Sequence, residues 1–305
     1  MKKHWRHYCT LSIVHFMAFP NTITGEGPIV ETVEKIATDP FFDAIEIGWI
    51  KDPAVRAATR IVLENSHIKV GAAAQSALLL QGLNLNSLDN VERKRAVDQL
   101  KANIDEAEEL GARRVAFLSG RDPGDSERPS ALEALVRSVN EVCAYASDKG
   151  LALTMETFDR SVDKKCLVGP SDYAADFARI VRQEHPDFGL MYDLSHQPLL
   201  YEESEPALTL LQDVLVHAHV GNCVVDPDTP GYGDLHPRFG WPGGCNDVAE
   251  LVTFIRALFK VGYLAEGKEE RPWIGFEVKP QSAMESSEQI IAGTKRVWQT
   301  AWAQV

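Results

Sequence analysis

Short apolar runs alternate with longer amphipathic segments along the whole chain. The runs Tyr8–His15, Ala44–Trp49, Lys69–Ala74, Arg114–Ser119, Ala152–Thr157, Gly189–Leu194, Val214–Val220 and Trp273–Lys279 predict strands. Several are almost continuously apolar rather than alternating, Val115 to Leu118 being one. That pattern belongs to strands buried on both faces, as in a parallel sheet. Between them, Glu26–Thr38, Ala54–Asn65, Asn90–Leu110, Pro129–Lys149, Ser171–Glu184, Pro206–Gln212, Asn246–Val261 and Ser286–Ala303 repeat their apolar positions near the helical period. Asp89 or Asn90 is placed to cap the third helix and Gly111 to stop it, Gly150 to stop the fourth and Ser171 to cap the fifth.

Strand and helix in strict alternation predict a (β/α)8 TIM barrel, one domain spanning residues 1–305. An open doubly wound sheet is the alternative, but no Gly-x-Gly-x-x-Gly run follows the first strand. The longest expected loop, Asn222–Cys245, is rich in Gly, Pro, Asp and His. It leaves the C-terminal end of the seventh strand, the face on which barrel enzymes carry their chemistry.

Charge narrows the partners. The formal net charge of -13 repels polyanions, so neither nucleic acid nor an anionic membrane is expected as a partner. No apolar run approaches the roughly 20 residues that span a bilayer. The basic N-terminus lacks a clean apolar core and cleavage site and reads as the approach to the first strand rather than a signal peptide. Five cysteines, an odd number without a CxxC pair, fit a reduced, cytoplasmic setting.

The candidate chemistry lies at the strand ends. The fifth predicted strand ends in Glu156, the sixth in Asp193 with His196 just beyond, the seventh carries His217 and His219, and the eighth ends in Glu277. Three ionised carboxylates converging on one spot would repel by about 4 kcal/mol per pair at ~4 Å. The total, on the order of 12 kcal/mol, rivals the stability of a whole domain. Either a carboxyl keeps its proton or a cation sits among them. Three carboxylates and one imidazole form a hard, oxygen-rich set suited to one divalent metal, Mn²⁺ first, Mg²⁺ or Co²⁺ otherwise.

A lone strand-end Glu is more often a salt-bridged or capping residue than a ligand. Four such coincidences on consecutive strands favour a site. His217 and His219 share a face of their strand, and the ligand role falls to His219. His15 is as readily structural as substrate-binding. Trp49 and Trp241 are aromatic candidates for a pocket wall, and Cys223 reads as a small loop residue rather than a nucleophile.

With Met-Glu156-Thr, Tyr-Asp193-Leu-Ser-His196, His217-Ala-His219 and Phe-Glu277-Val-Lys, the chain resembles the xylose-isomerase-like TIM-barrel superfamily. That superfamily contains ketose 3-epimerases, hydroxypyruvate-isomerase-like and inosose-dehydratase-like enzymes and endonuclease IV. The resemblance implies that Glu156, Asp193, His219 and Glu277 bind the metal. It also implies that Glu156 and Glu277 trade protons with a sugar substrate and that His196 hydrogen-bonds a substrate oxygen. The expected reaction is isomerisation or epimerisation through an enediolate beside a sugar carbonyl.

One segment departs from the epimerase pattern of His-x-His-x-x-Asp, then Arg and Pro-Gly-x-Gly. Asn222 stands where that Asp is expected, and an insertion follows that contains Asp234, His236, Arg238 and Pro242-Gly-Gly. Arg238 and Asn222 are substrate-binding candidates, with His196, Trp49 and His15. His236 joins Glu156, Glu277 and His196 as a catalytic candidate. The loop is similar to that of members acting on 3-oxo-glycosides, including C-glycoside deglycosidase α subunits. This implies a second possible reaction, a lyase-type elimination, and a second possible assembly, a hetero-oligomer with a small β subunit instead of a homo-oligomer. A metal-dependent AP endonuclease is disfavoured by the negative charge and the shortage of further ligands. A non-catalytic sugar-sensing barrel would lack ligands, and none is missing.

Overall fold

The computed structural model describes residues 3–305. Eight parallel strands run β1 Thr10–Ile13, β2 Ala44–Ile47, β3 Lys69–Ala73, β4 Arg114–Leu118, β5 Ala152–Glu156, β6 Gly189–Asp193, β7 Leu215–Gly221 and β8 Trp273–Glu277. Each pairs with its sequence neighbour from β2 to β8, and β8 pairs with β1. A parallel bridge from Val14 to Glu46 draws β1 against β2, and the Asp43 N–H donates to the Leu11 carbonyl at 2.9 Å. The barrel therefore closes, which leaves no sheet edge to template aggregation. The near-continuous apolar runs are explained by the closure, since strands such as β1, β2 and β6 are buried along their full length.

The outer helices are α1 Ile29–Ala37, α2 Pro53–Ser66, α3 Asn90–Glu109, α4 Arg128–Ser147, α5 Ser171–Val181, α6 Ser204–Leu211, α7 Val248–Lys260 and α8 Ser287–Trp302. In α1 the buried residues Ile29, Thr32, Val33 and Ile36 form one stripe at helical spacing. Asp89 caps α3 by accepting from the Val91 and Glu92 N–H groups. Gly111 and Gly150 follow α3 and α4 with positive φ, 75° and 70°. Ser171 departs from expectation: it is the first residue of α5, and its hydroxyl donates to Glu202 at 2.7 Å instead of capping. Among the described residues no helix is long and apolar enough to cross a membrane.

Three one- or two-turn helices lie beyond the C-terminal ends of the strands: His15–Ala18, Gln75–Leu80 and His196–Leu199. The first corrects the expected first strand, which stops at Ile13 and does not reach His15. These helices roof the barrel mouth.

Strand register places the strand-end polar residues. The β6–β7 ladder slips between Leu190 and Met191, so that Leu190 faces Leu215, Met191 faces His217, and Val216 is the extra residue. Beyond the slip, Asp193 and His219 become direct partners, and on the other side of β7 Gly221 partners Glu277. Val216 packs over Gly189, where an added Cβ would lie 2.4 Å from both Val216 methyls. Gly189→Ala should therefore overpack this bulge and lower stability by about 1–3 kcal/mol, read as a shift in urea midpoint. An unchanged midpoint would mean that the bulge is soft and does not fix the register.

Candidate metal centre

At the barrel mouth the side chains of Glu156, Asp193, His219 and Glu277 each offer one ligand atom, all within 4.8 Å of one another, an arrangement that could hold a metal ion. His219 Nδ1 is the hub, 2.8 Å from Glu277 Oε2, 3.7 Å from Glu156 Oε1 and 3.9 Å from Asp193 Oδ2. Glu156, Asp193 and His219 are almost wholly shielded from water. Glu156 Oε2 accepts from the Gln75 amide at 2.8 Å, and one Asp193 oxygen accepts from the Ser195 N–H at 2.6 Å. The other oxygens, Glu156 Oε1 and Asp193 Oδ2, are buried with no hydrogen-bond partner. Buried acceptors left in that state are strongly disfavoured unless a cation or proton serves them.

The protonation pattern agrees. Burial, with Glu277 adding to it, lifts Glu156 to about 8. Burial opposes a charge on His219, yet the carboxylates of Glu46 and Glu277 outweigh it and raise the imidazole well above its usual range. Both shifts favour protons on the cluster, the response expected of groups that call for positive charge. The residues fit a divalent ion that would take the place of those protons.

Around this set lies a second layer. Glu46, on β2, is fully buried and holds His219 Nε2 at 2.9 Å and His217 Nε2 at 3.2 Å. Ser12 donates to it at 2.6 Å. It reaches His219 across the barrel because position 275 is glycine, where a Cβ would lie 2.4 Å from Glu46 Oε1 and 2.6 Å from His219 Cδ2. A carboxylate on the far imidazole nitrogen holds the proton there and turns Nδ1 toward the cluster, where it meets Glu277. The sequence reading passed over Glu46, which sits inside a strand rather than at its end. The Ile45-Glu46-Ile47 alternation was the available signal, because a carboxylate flanked by core residues needs a partner.

The inserted loop brings Asp234 and His236 to the same mouth, both buried. Asp234 Oδ1 lies 2.8 Å from His236 Nε2 and 3.1 Å from His196 Nε2, while Oδ2 takes the Lys164 ammonium at 3.1 Å. His196 Nδ1 donates to the Thr157 carbonyl at 2.7 Å. Burial works against charge on His236, but Asp234 and Glu277 raise it to about 9. Its Nδ1 has no partner and points toward Asp193 Oδ2, 4.0 Å away. His236 adopts a left-handed backbone, φ 52°, rare for a residue with a side chain. Gly221 makes room, since a Cβ there would fall 3.1 Å from His236 Nδ1.

Glu156, His219, Glu277, Asp234, His236 and Lys164 line a cavity of about 160 Å³ whose apolar lining includes Val14, Phe16, Met17, Ile23, Phe158 and Leu235. A larger cleft of about 870 Å³ is lined by residues such as Arg113, Ala152 and Leu215 at the N-terminal starts of the strands. It lies at the other end of the barrel from the carboxylates, on the face that carries stability rather than chemistry in this fold.

None of the five expected substrate contacts lines the small cavity, His196 being held by Thr157 and Asp234. His15 Nε2 meets Thr32 Oγ1 at 2.7 Å behind the barrel mouth, and burial lowers its pKa to about 3. Trp49 donates to the Ile23 carbonyl at 3.1 Å and supports that loop from below. Asn222 accepts from the Cys223 and Asn246 N–H groups and donates to the Arg238 carbonyl, tying the loop ends together. Arg238 is turned outward to Glu285 and over the Trp241 ring. In each case a local hydrogen-bond partner holds the polar atoms that the expectation assigned to substrate.

A family model described as a xylose isomerase-like TIM barrel matches residues 39–296. A D-tagatose 3-epimerase-like protein superposes with a TM-score of 0.71 at 16% identity, covering 97% of this chain and 99% of its own. D-Psicose 3-epimerase from Clostridium cellulolyticum H10, solved with D-tagatose, gives 0.68 at 17%, covering 96% and 98%. The IOLI protein, solved with a bound zinc atom, gives 0.72 at 14%, covering 96% and 98%. At these identities the likeness is one of fold. No curated protein matches the sequence.

Glu46→Gln should weaken divalent-cation binding about 10–100-fold, measured by competition with a chromophoric chelator. Unchanged affinity would show that His219 is oriented without it. Addition of the cation at pH 7 should also release protons, on the order of one to two per ion. Calorimetry in buffers of different ionisation enthalpy reads that number, and no release would contradict protons held by the carboxylate cluster.

Proposed function

The chain belongs to the xylose isomerase-like TIM-barrel family, and from that premise we propose that it is a divalent-metal-dependent isomerase or epimerase acting beside the carbonyl of a ketose. One observation carries the reading: Glu156, Glu277 and His219 border one small cavity, Asp193 joins them in a single cluster of ligand atoms, and the buried oxygens Glu156 Oε1 and Asp193 Oδ2 have no partner. Glu156, Asp193, His219 and Glu277 would hold one ion, with Mn²⁺ the best fit to the donors and Mg²⁺ or Co²⁺ next. Bound there, the ion supplies Lewis acidity toward a carbonyl or hydroxyl oxygen.

The protein groups handle the proton. Gln75 fixes Glu156 through Oε2 and leaves Oε1 toward the cavity, so Glu156 is oriented to take the proton from the carbon beside the carbonyl. Glu277 is held by His219 and serves the other side of the enediolate. Return of the proton to the opposite face of the same carbon epimerises, and return to the neighbouring carbon isomerises. His196, with Nδ1 donating to Thr157 and Nε2 3.1 Å from Asp234 Oδ1, would meet a substrate oxygen only by giving up its contact with Asp234. The neighbours solved as 3-epimerases of psicose and related ketoses support a substrate of that class. Five cysteines free of disulfides fit a cytoplasmic setting.

The inserted loop favours a second reading, elimination from a 3-oxo-glycoside. His236 brings an unpartnered Nδ1 to the mouth, and Phe16, Met17, Ile23, Phe158 and Leu235 give the cavity apolar surface, suited to an aglycone. Here a base removes the proton beside the keto group, and the bond from the adjacent anomeric carbon to the aglycone breaks. A small partner subunit belongs with this reading and a homo-oligomer with the first.

Elemental analysis beside Glu156→Gln and His219→Ala variants tests the centre, and incubation in D₂O with free ketoses and 3-oxo-glucosides tests the chemistry. About one ion per chain, lost in the variants, with deuterium entering a ketose, is the expected result. Aglycone release without ketose exchange would replace the first reading with the second. A metal-replete preparation with no bound ion and no exchange would overturn both.

A further inference from the structure

The loop that carries Asp234 and His236 begins and ends in cysteine. Cys223 follows the last residues of β7, and Cys245 stands just before α7. The Cys245 N–H donates to the Cys223 carbonyl at 2.9 Å. A direct main-chain hydrogen bond keeps the two α-carbons within the roughly 4.4–6.8 Å that a disulfide spans. Asn222 fastens both flanks, its Oδ1 accepting from the Cys223 N–H at 2.9 Å and the Asn246 N–H at 2.7 Å. Each thiol also acts on the other's titration, lowering Cys245 and raising Cys223. The main chain thus already holds the two segments together at the distance the bond needs.

We propose that Cys223 and Cys245 form a reversible disulfide that closes the base of the loop holding Asp234 and His236. The two sulfurs have different roles. Cys245 is partly exposed and Cys223 is wholly buried, so an oxidant in solution meets Cys245 first. The Cys223 thiol, with help from the Val225 backbone, lowers the Cys245 thiol to about 7 despite its partial burial. At neutral pH much of it is the nucleophilic thiolate. The remaining cysteines, Cys9, Cys143 and Cys166, are buried, and burial pushes their thiols upward.

With hydrogen peroxide as oxidant, the Cys245 thiolate attacks one oxygen and the O–O bond breaks. Hydroxide leaves and takes a proton to become water, and Cys245 becomes a sulfenic acid. The Cys223 sulfur then displaces the sulfenic oxygen, the S–S bond forms and a second water leaves. Two thiols are oxidised by two electrons and one peroxide is reduced to two waters. A dithiol such as dithiothreitol reverses the bond by exchange. Because the loop base is already fastened, the disulfide stabilises the conformation in which His236 faces the mouth.

The test treats the full-length protein with hydrogen peroxide in modest excess, quenches it and counts thiols after denaturation. Two of the five thiols present in the sequence should be lost, with a cross-linked peptide joining Cys223 to Cys245 and recovery of both thiols on dithiothreitol. The melting temperature of the oxidised protein should rise by several degrees. Cys245→Ser should retain all its remaining thiols under the same treatment. Persistence of five thiols in the wild type would overturn the proposal. So would oxidation of Cys245 to a sulfinic or sulfonic acid with Cys223 still free, or a cross-link between any other pair.

Discussion

Glu156, Asp193 and Glu277 converge where the barrel excludes water, and their mutual repulsion is the constraint that the surrounding structure meets. Like charges in that setting cannot all persist without a compensating positive charge. Three imidazoles and one ammonium supply it: His219 within the cluster, His196 and His236 at its rim, and Lys164 behind Asp234, while burial lowers His217, beneath Glu46, to about 4 and keeps it neutral. The carboxylates of Glu46 and Asp234 in turn support those imidazoles, so positive and negative groups alternate outward from the mouth. The alternation also explains why Glu46 and Asp234 are held well below the usual carboxylate range despite full burial, which by itself would raise them.

That charge pattern imposes backbone requirements far from the carboxylates in sequence. Glycine at 275 lets Glu46 reach His219 through the barrel interior, and glycine at 221 leaves the space that His236 occupies. The β-bulge at Val216 sets the register that pairs Asp193 with His219. Asp159 caps a tight turn by accepting from the N–H groups of Val162, Asp163 and Lys164, which carries Lys164 inward to Asp234. A buried ionic network specifies its surroundings because each member left without its partner is costly. Turn, bulge and glycines are consistent with one another only when the whole set is in place.

The barrel was legible in the sequence because its signal is repeated. Each strand is a short apolar run, each helix carries a stripe, and the order alternates without interruption. The strand-end carboxylates were legible for the same reason, since a charged residue closing an apolar run is conspicuous. Glu46 was not, because its partners come from β7 and β1 across the barrel, and sequence periodicity carries no information about interior cross-barrel contacts. His15, Trp49, Asn222 and Arg238 were drawn toward the site by their chemistry and their position near strand ends. The structure gives each a local partner instead: Thr32, the Ile23 carbonyl, the loop backbone and Glu285. Residue type and approximate location cannot separate a polar group that faces substrate from one that fastens a loop. Only the direction of the side chain does, and in the first strand a one-turn helix at His15 reverses it.

The inserted loop is where the two candidate chemistries diverge. A free ketose carries a hydroxyl on nearly every carbon and favours a cavity with polar groups all round. Here the lining is mixed, with Phe16, Met17, Phe158 and Leu235 beside Gln75, Ser76 and the charged groups. Leu235 lies between Asp234 and His236, so the segment that supplies the imidazole also supplies part of the apolar lining. A single left-handed residue, His236, turns that segment inward. The insertion therefore adds an imidazole and an apolar side chain to the mouth together, whereas the carboxylate set comes entirely from the strands. Because Asp234 and Glu277 raise that imidazole to about 9, it carries a proton at neutral pH, so the loop brings a positive charge to the carboxylates that the strands supply.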